Sequence, residues 1–163
     1  MLFIGVAELF PISHLVEVLQ ELGDEVKDAY IKGLEEHGHR ASGDLISSVE
    51  AEVQVKGTTY YVYLNLRDYW KYVEENTRPH WPPKDAIDRW IFIKPVIPRP
   101  LSNGKLPTPA QLSFLIRRKI ALEGTTGTHD LRDAKADIIP KFRERLAEAL
   151  HRDALAYIEK ILP

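Results

Sequence analysis

The sequence predicts an α+β fold in which one antiparallel β-hairpin packs against a long N-terminal helix and several C-terminal helices. Apolar residues recur every three or four positions from Leu15 to Gly33, which is typical of one face of a helix. From Ser47 onward the period changes to two, which is typical of a half-buried strand. After Asp68 the helical spacing returns. Helices and strands therefore occupy separate stretches of the chain, and this favours α+β over alternating βαβ units.

The first helix is predicted to begin at Ser13, whose hydroxyl can cap its first turn. Gly38 is a natural stop for it. Its apolar stripe consists of Leu15, Leu19, Leu22, Val26, Ala29 and Gly33. Residues 1–12 form an apolar arm broken by Pro11, and we expect this arm either to fold back onto the core or to pack on a neighbouring subunit.

Two strand-like runs around a glycine turn predict the hairpin. The apolar residues of the first run, which alternate with polar ones, are Val49, Ala51, Val53 and Val55. The turn is Gly57-Thr58, and residues 59–66 are rich in β-branched and aromatic side chains.

Prolines and capping residues place the helices that follow. Asp68 is predicted to cap a short helix that ends near Asn76, and Pro83 suits the first turn of a second helix. Residues 95–109 hold five of the eleven prolines and are predicted to form a loop. The residues Thr-Pro-Ala-Gln at 108–111 form a capping box that opens a third helix.

The C-terminal part is predicted to begin with the most flexible segment of the chain, GTTGTHD at 124–130, which neighbouring molecules would order. Pro140 is predicted to open the last helix. That helix carries Phe142, Leu146, Leu150, Leu155, Ile158 and Leu162 among charges of both signs. We expect one domain over residues 1–163, made of the arm 1–12, a core at 13–127 and a C-terminal helix at 134–162.

Composition excludes several classes of site and partner. The chain of 163 residues has no cysteine, so disulfides and thiolate metal sites are excluded. Its net charge of −2 provides no bulk basic field for non-specific DNA binding. The apolar start MLFIGV is too short for a signal peptide, and no run approaches the roughly 20 apolar residues of a membrane span. We expect a soluble, intracellular chain without a membrane partner.

Candidate catalytic groups are few and isolated. His37 and His39 near Arg40 could bind a metal, but histidines at a helix end are also favoured by the helix dipole. His80 is the best lone candidate for a general base, although no nucleophile accompanies it in a known motif. Glu74 and its neighbour point in different directions on a helix. We therefore expect no enzymatic activity, no cofactor and no metal.

The segment 68–90 contains all three tryptophans, with a histidine–tryptophan step flanked by prolines. Large aromatic residues supply much of the contact area in cores and interfaces. We interpret this segment as a rigid structural or docking element. The candidate interface residues in and beyond it are Trp70, Tyr72, Asn76, Trp81, Trp90, Arg117, Arg118 and Lys119.

A nucleic-acid-binding module is the alternative hypothesis. Its stacking platform would be Tyr60, Tyr61 and Tyr63, and its phosphate contacts would come from the basic run 117–119. Basic residues flank the tyrosine strand without interleaving with it, which disfavours this alternative.

Several segments in order resemble a family of tailed-phage neck proteins, the tail-completion or head–tail joining components also found in prophages. The segments are SGDLISS at 42–48, YWKYVEENT at 69–77, RPHWPP at 78–83, LSFLIRRKI at 112–120 and EGT at 123–125. The resemblance covers about residues 15–127. The chain departs from the family pattern at Asn76, where glycine is usual, and asparagine is the next best residue for a left-handed turn.

The resemblance implies a virion structural protein that forms a homo-oligomeric ring between the head and the tail tube, without catalysis or a cofactor. Its partners would be neighbouring neck and tail proteins, with DNA passing through the lumen without specific binding. The protein would be assembled in the cytoplasm of the bacterial host and then reside in the virion. The resemblance does not distinguish among the head-closure, tail-terminator and minor tail roles. It also does not give the number of copies in a ring.

Overall fold

The computed structural model describes residues 12–38, 43–94 and 96–162. Along the chain these form α1 (Ser13–Glu36), α2 (Asp44–Ser47), β1 (Glu50–Lys56), β2 (Thr59–Asn65), α3 (Trp70–Glu74), α4 (Lys84–Ile93), α5 (Pro109–Glu123), α6 (Asp130–Lys141) and α7 (Arg143–Ile161). The two strands make one antiparallel sheet, so the predicted α+β class and hairpin are confirmed. Apart from Ile12, the predicted N-terminal arm lies outside the described residues.

Contacts group the chain into two compact units. The hairpin unit comprises the described residues of Met1–Gly33, Ser48–Arg67 and Asp130–Pro163. The tryptophan unit comprises those of Leu34–Ser47 and Asp68–His129, and all three tryptophans lie in it. The single domain expected over residues 1–163 stays a prediction.

In the hairpin unit, α1 lies close to the inner face of the sheet. A Cβ atom at Gly23 would come within 2.9 Å of Val62 Cγ1 and 3.1 Å of Ala51 Cβ. Gln20 Nε2 also donates to the Ala51 carbonyl oxygen at 3.2 Å. Because glycine has no side chain, the helix can approach the strands at this point.

The core of the hairpin unit draws on both ends of the chain. Its buried apolar side chains are Val26, Tyr30, Val49, Leu131, Ala134, Ile138, Phe142 and Ala149. Gly33 allows a second close approach, because a Cβ atom there would lie 2.7 Å from Asp130 Oδ1 at the start of α6. The predicted helix face containing Gly33 thus packs against a polar group as well as apolar ones.

The sequence predicts one C-terminal helix at 134–162, where the structure has the two helices α6 and α7, and the prediction that Pro140 opens the last helix is wrong. Pro140 lies inside α6, which ends one residue later at Lys141, and α7 starts at Arg143. Proline removes one helical hydrogen bond and clashes with the preceding turn, so the helix stops soon after it. Two acidic residues in the first turn, Asp130 and Asp133, suit the positive end of the helix dipole.

A buried carboxylate on α7 caps the N-terminus of α1. Asp153 is 0% exposed, and its oxygens accept hydrogen bonds from the backbone amides of His14 at 3.1 Å and Leu15 at 2.9 Å. His14 Nδ1 lies 2.7 Å from Asp153 Oδ1. Ser13 is itself in the first turn of α1, so the capping role predicted for it is filled by a residue far along the chain.

The environment of Asp153 favours its ionised form. Burial by itself raises the pKa of Asp153, but the hydrogen bonds from the Leu15 amide and from His14 outweigh burial and hold the pKa below its usual 3.8. The carboxylate also lies at the positive end of the α1 dipole. An ionised Asp153 therefore stabilises the fold at neutral pH.

In the tryptophan unit, the capping box of α5 is confirmed. Thr108 Oγ1 accepts from the Gln111 amide at 3.3 Å, and Gln111 Oε1 accepts from the Thr108 amide at 2.9 Å. The predicted cap at Asp68 is wrong: α3 begins at Trp70 after Tyr69, which makes no side-chain cap. Asp68 is one residue too early to reach the amides of the first turn.

Among the helices that the structure describes, none combines the length and the apolar character needed to cross a membrane.

Candidate docking site

Two segments from distant parts of the sequence run side by side in the tryptophan unit. Residues 73–77 meet residues 124–129, and we call this contact the crossing. At its centre the Thr77 amide donates to the Thr125 carbonyl oxygen at 2.9 Å, and the Thr125 amide donates to Thr77 Oγ1 at 3.0 Å. The two hydroxyl oxygens lie 2.7 Å apart. Thr77 and Thr125 therefore form an antiparallel bridge supported by their side chains.

Further hydrogen bonds extend the crossing towards α6. Asn76 Oδ1 accepts from the Gly127 amide at 2.8 Å, and the Thr128 amide donates to the Val73 carbonyl oxygen at 3.1 Å. These bonds hold residues 124–129 against residues 73–77 of the same chain. The prediction of a flexible segment that only neighbouring molecules would order is therefore wrong. Asn76, a candidate from the sequence, acts here through its side-chain oxygen. Its φ is not positive, so the left-handed turn expected at this residue is wrong.

Glycines make the crossing sterically possible. A Cβ atom at Gly127 would overlap the carbonyl oxygen of Glu74 and lie 2.5 Å from the carbonyl carbon of Glu75. At Gly124 it would overlap the carbonyl oxygen of Thr77, and Gly124 also has a φ of +75°, which glycine adopts without a steric cost. Both positions therefore require glycine because the two backbones touch.

A second contact joins the proline-rich segment to α5. The guanidinium carbon of Arg117 lies 4.9 Å from the ring centroid of Trp81, and Arg117 Nε donates to the Pro82 carbonyl oxygen at 3.0 Å. Trp81 also meets Phe114 edge-on, with ring centroids 6.0 Å apart. We call Trp81, Phe114 and Arg117 the arginine–tryptophan cluster. Stacking and hydrogen bonding together fix the orientation of Arg117.

The cluster is at the surface, beside an apolar groove. Trp81 and Phe114 are 50% and 52% exposed. The groove has a volume of about 360 Å³ and is lined by Leu101, Ala110, Gln111, Phe114 and Leu115. Exposed aromatic rings held in a fixed orientation are typical of contact surfaces.

The other predicted interface residues occupy separate positions in the tryptophan unit. Trp70 starts α3 and is half-buried, with Lys71 Nζ 5.9 Å from its ring, and Tyr72 on the same helix is 69% exposed. Trp90 lies in α4, with Lys94 Nζ 5.7 Å from its ring. The three tryptophans are thus at or near the surface.

The basic run 117–119 is divided between two environments. Arg117 is half-buried against Trp81, whereas Arg118 and Lys119 are exposed. Lys119 Nζ lies 3.8 Å from a carboxylate oxygen of Glu123, one turn further along α5. The run therefore does not present three cations to one partner.

The catalytic candidates from the sequence have structural surroundings. His80 Nδ1 donates to the Arg78 carbonyl oxygen at 2.8 Å, which braces the proline-rich segment. Glu74 is buried below the crossing and Glu75 is exposed, so the two point apart as predicted. His39 and Arg40 lie outside the described residues. Within residues 12–38, 43–94 and 96–162, no group of three or more acidic or histidine side chains is arranged to hold a metal ion.

The tyrosine strand has one basic neighbour on its outer face. Tyr61 and Tyr63 stack with centroids 5.8 Å apart, and Lys56 Nζ lies 5.6 Å and 5.3 Å from their rings. Opposite Tyr63 in the register is the acidic Glu52. A carboxylate on this face opposes contact with a phosphate backbone.

Sequence reasoning missed the parts of the site that depend on close backbone approach. The sequence predicts that the segment with glycines at 124 and 127 is flexible. In the structure these glycines allow the two backbones to touch, and Thr77 and Thr125 pair across the crossing. Ser113 is 1% exposed, so the buried side of α5 includes a polar residue. Apolar periodicity does not predict a buried position for a polar residue. No local pattern links residues 48 positions apart, so only the fold shows this contact.

No family model, curated protein or solved structure matches this chain.

Proposed function

We propose that this protein is a structural component of the neck or tail of a tailed phage or prophage. It forms a homo-oligomeric ring that joins the head to the tail or completes the tail, and it has neither a catalytic role nor a cofactor. DNA passes through the ring without specific binding. The ring is assembled in the bacterial cytoplasm and stays in the virion, in contact with other neck and tail proteins.

The observation that carries this proposal is the crossing. The segments that resemble the phage family, at 69–77 and 123–125, come from distant parts of the sequence, yet they hydrogen-bond to each other. Two more such segments, 78–83 and 112–120, meet through Trp81 and Arg117. Residues that the resemblance groups together thus build one local structure, as expected if they serve one structural role.

The surface of the tryptophan unit supports a docking role. Several of its large apolar side chains are strongly exposed, including Tyr72, Trp81, Phe114 and Leu122. Proline-rich and stacked segments lose little conformational freedom on binding, so a partner could dock on them at low entropic cost.

Deletion of the gene in the phage or prophage that encodes it tests the proposal. Electron microscopy of the particles is expected to show filled heads and tails that are separate, or tails of irregular length, and expression in trans is expected to restore normal particles. Normal infectious particles from the deletion strain would overturn the proposal.

Binding to nucleic acid by the purified protein separates the two hypotheses. We expect ring-shaped particles in negative stain and no shift of duplex or single-stranded DNA at 0.15 M salt. The nucleic-acid hypothesis instead predicts DNA binding that weakens steeply as salt rises, and that is reduced by Lys56→Ala together with Arg118→Ala.

A further inference from the structure

Two apolar surfaces, one in each unit, are exposed in the described chain. The α7 face consists of Leu150, Leu155, Ile158, Ile161 and the adjacent Leu162, all between 44% and 66% exposed. The α4 end consists of Trp90, Phe92, Ile93 and the following Ile97, of which Phe92 and Ile97 are 90% and 92% exposed. Exposed apolar surfaces of this kind mark sites of association.

The α7 face is a coherent side of the helix. The buried residues of α7, Ala149 and Asp153, lie four positions apart on one side. Leu155, Ile158 and Leu162 fall on the other side at helical spacing. The amphipathic pattern of the sequence is therefore real, but its apolar side faces outward along the C-terminal half of the helix.

The α4 helix also exposes apolar side chains. It has no buried residue over its ten positions, although six of them are Ile, Phe, Trp or Ala. Its Ile87 and Ile91 are half-buried, which leaves the aromatic residues at its C-terminal end to be covered from outside. Basic residues flank this end, at Arg89, Lys94 and Arg99.

The two units carry opposite net charges. Over the described residues, the hairpin unit has 11 Lys or Arg against 14 Asp or Glu, a net charge of −3, and the tryptophan unit has 10 against 9, a net charge of +1. A contact between identical surfaces of two copies would bring like charges together. A contact between the hairpin unit of one copy and the tryptophan unit of the next brings opposite charges together, which favours this pairing and suppresses the other.

We propose that the α7 face of one copy docks on the α4 end of a second copy of the chain. The contact buries aliphatic side chains against exposed aromatic ones, and the opposite charges of the units fix its direction. Such a contact is heterologous, because each copy uses two different surfaces, and its repetition closes a ring when the rotation between copies allows it. This inference rests on the proposed function for the ring and adds the surfaces that form it.

Site-specific crosslinking tests this contact, because the natural chain has no cysteine. Phe92→Cys and Leu155→Cys each place one thiol on one of the two surfaces, at exposed positions where substitution leaves the fold intact. The two variants are mixed and treated with a short bis-maleimide reagent. In the mixture we expect a covalent dimer made of one copy of each variant. When either variant is treated alone, we expect no dimer.

Matched controls place the thiol elsewhere in the same units. Lys105→Cys in the tryptophan unit and Lys135→Cys in the hairpin unit are both exposed, and their mixture is expected to give no dimer. A dimer from Leu155→Cys alone would mean an isologous contact and would overturn the proposal. A variant with both Phe92→Cys and Leu155→Cys in one chain is a further control. A crosslink within that chain, at a yield independent of protein concentration, would overturn the proposal as well.

Electron microscopy of the same samples separates failure of this inference from failure of the proposed function. Rings without a crosslink between positions 92 and 155 would overturn the contact and leave the ring. Monomers at every protein concentration, without rings, would overturn both. Rings with the crosslink would support both.

Discussion

The two units hold distant segments of the chain together by different physical means. In the hairpin unit, the carboxylate of Asp153 reaches the N-terminus of α1 and accepts hydrogen bonds from two backbone amides. In the tryptophan unit, the crossing requires that Gly124 and Gly127 have no side chain, because the two backbones touch there. One contact depends on a charge, and the other depends on the absence of a Cβ atom.

This difference predicts how each contact responds to change. A buried carboxylate stabilises through its ionised form, so its contribution varies with pH and a neutral isostere retains part of it. A backbone contact has no titrating group and no room to relax, so a single methyl group displaces the segment. The crossing should therefore be the more sensitive of the two contacts to substitution, and the Asp153 cap the more sensitive to acid.

The largest effect is expected from Gly127→Ala. Its methyl group would overlap the Glu74 carbonyl oxygen, so residues 124–129 must move away and lose their hydrogen bonds to residues 73–77. We expect a loss of about 3 kcal/mol or more in the free energy of unfolding, because the clash is with backbone. Urea unfolding followed by tryptophan fluorescence measures this, since all three tryptophans lie in this unit.

Gly104→Ala is the matched control in the same unit. Gly104 has a φ of +75°, but nothing lies within 4 Å of a Cβ atom there. The substitution therefore costs only the left-handed backbone strain, about 1 kcal/mol. Equal losses in the two variants would show that backbone strain, and not the crossing, determines the sensitivity of the unit.

The same contrast explains how much of the fold the sequence could predict. Local signals succeeded: alternation around Gly57-Thr58 gave the hairpin, and the capping box at 108–111 gave the start of α5. The sequence did not separate α6 from α7, because Pro140 was interpreted as a helix start, although the acidic first turn and the spacing of Leu131 and Ile138 were present in the sequence.

The candidate site was less predictable because its contacts are non-local. Trp81 and Arg117 were both chosen from the sequence, but no pattern indicated that they stack on each other. Asn76 was chosen for its backbone conformation, whereas its side chain binds the Gly127 amide. Apolar periodicity identified the stripe on α7, but periodicity states only that a face is apolar and not which surface covers it.

A smaller effect is expected from Asp153→Asn in the hairpin unit. The amide side chain can accept only one of the two backbone bonds and turns its own NH₂ group towards the other donor. We expect a loss of about 2 kcal/mol at pH 7 in the free energy of unfolding, measured by far-ultraviolet circular dichroism in urea. Asp137→Asn, which breaks an exposed ion pair with Lys141, should cost no more than about 0.5 kcal/mol.

The pH profile of this pair of variants gives the sharper result. Because the pKa of Asp153 in the folded state is below its usual 3.8, its stabilisation is fully present above that pH and is lost as pH falls through the lower folded value. The difference in stability between the natural chain and Asp153→Asn should therefore shrink below about pH 4. A difference that stays constant into strong acid would contradict the role assigned to the ionised carboxylate.

The smallest effect is expected from Arg117→Lys, which tests whether the tryptophan unit also depends on a charge. Lysine keeps the positive charge but loses both the planar stack on Trp81 and the Nε hydrogen bond to the Pro82 carbonyl oxygen. We expect a loss of about 1 kcal/mol and a shift in the tryptophan emission maximum, whereas Arg118→Lys at an exposed position should change neither. If Arg117→Lys has no effect, the charge itself orients Trp81, and the contrast between a charge-dependent hairpin unit and a shape-dependent tryptophan unit would hold only at the crossing.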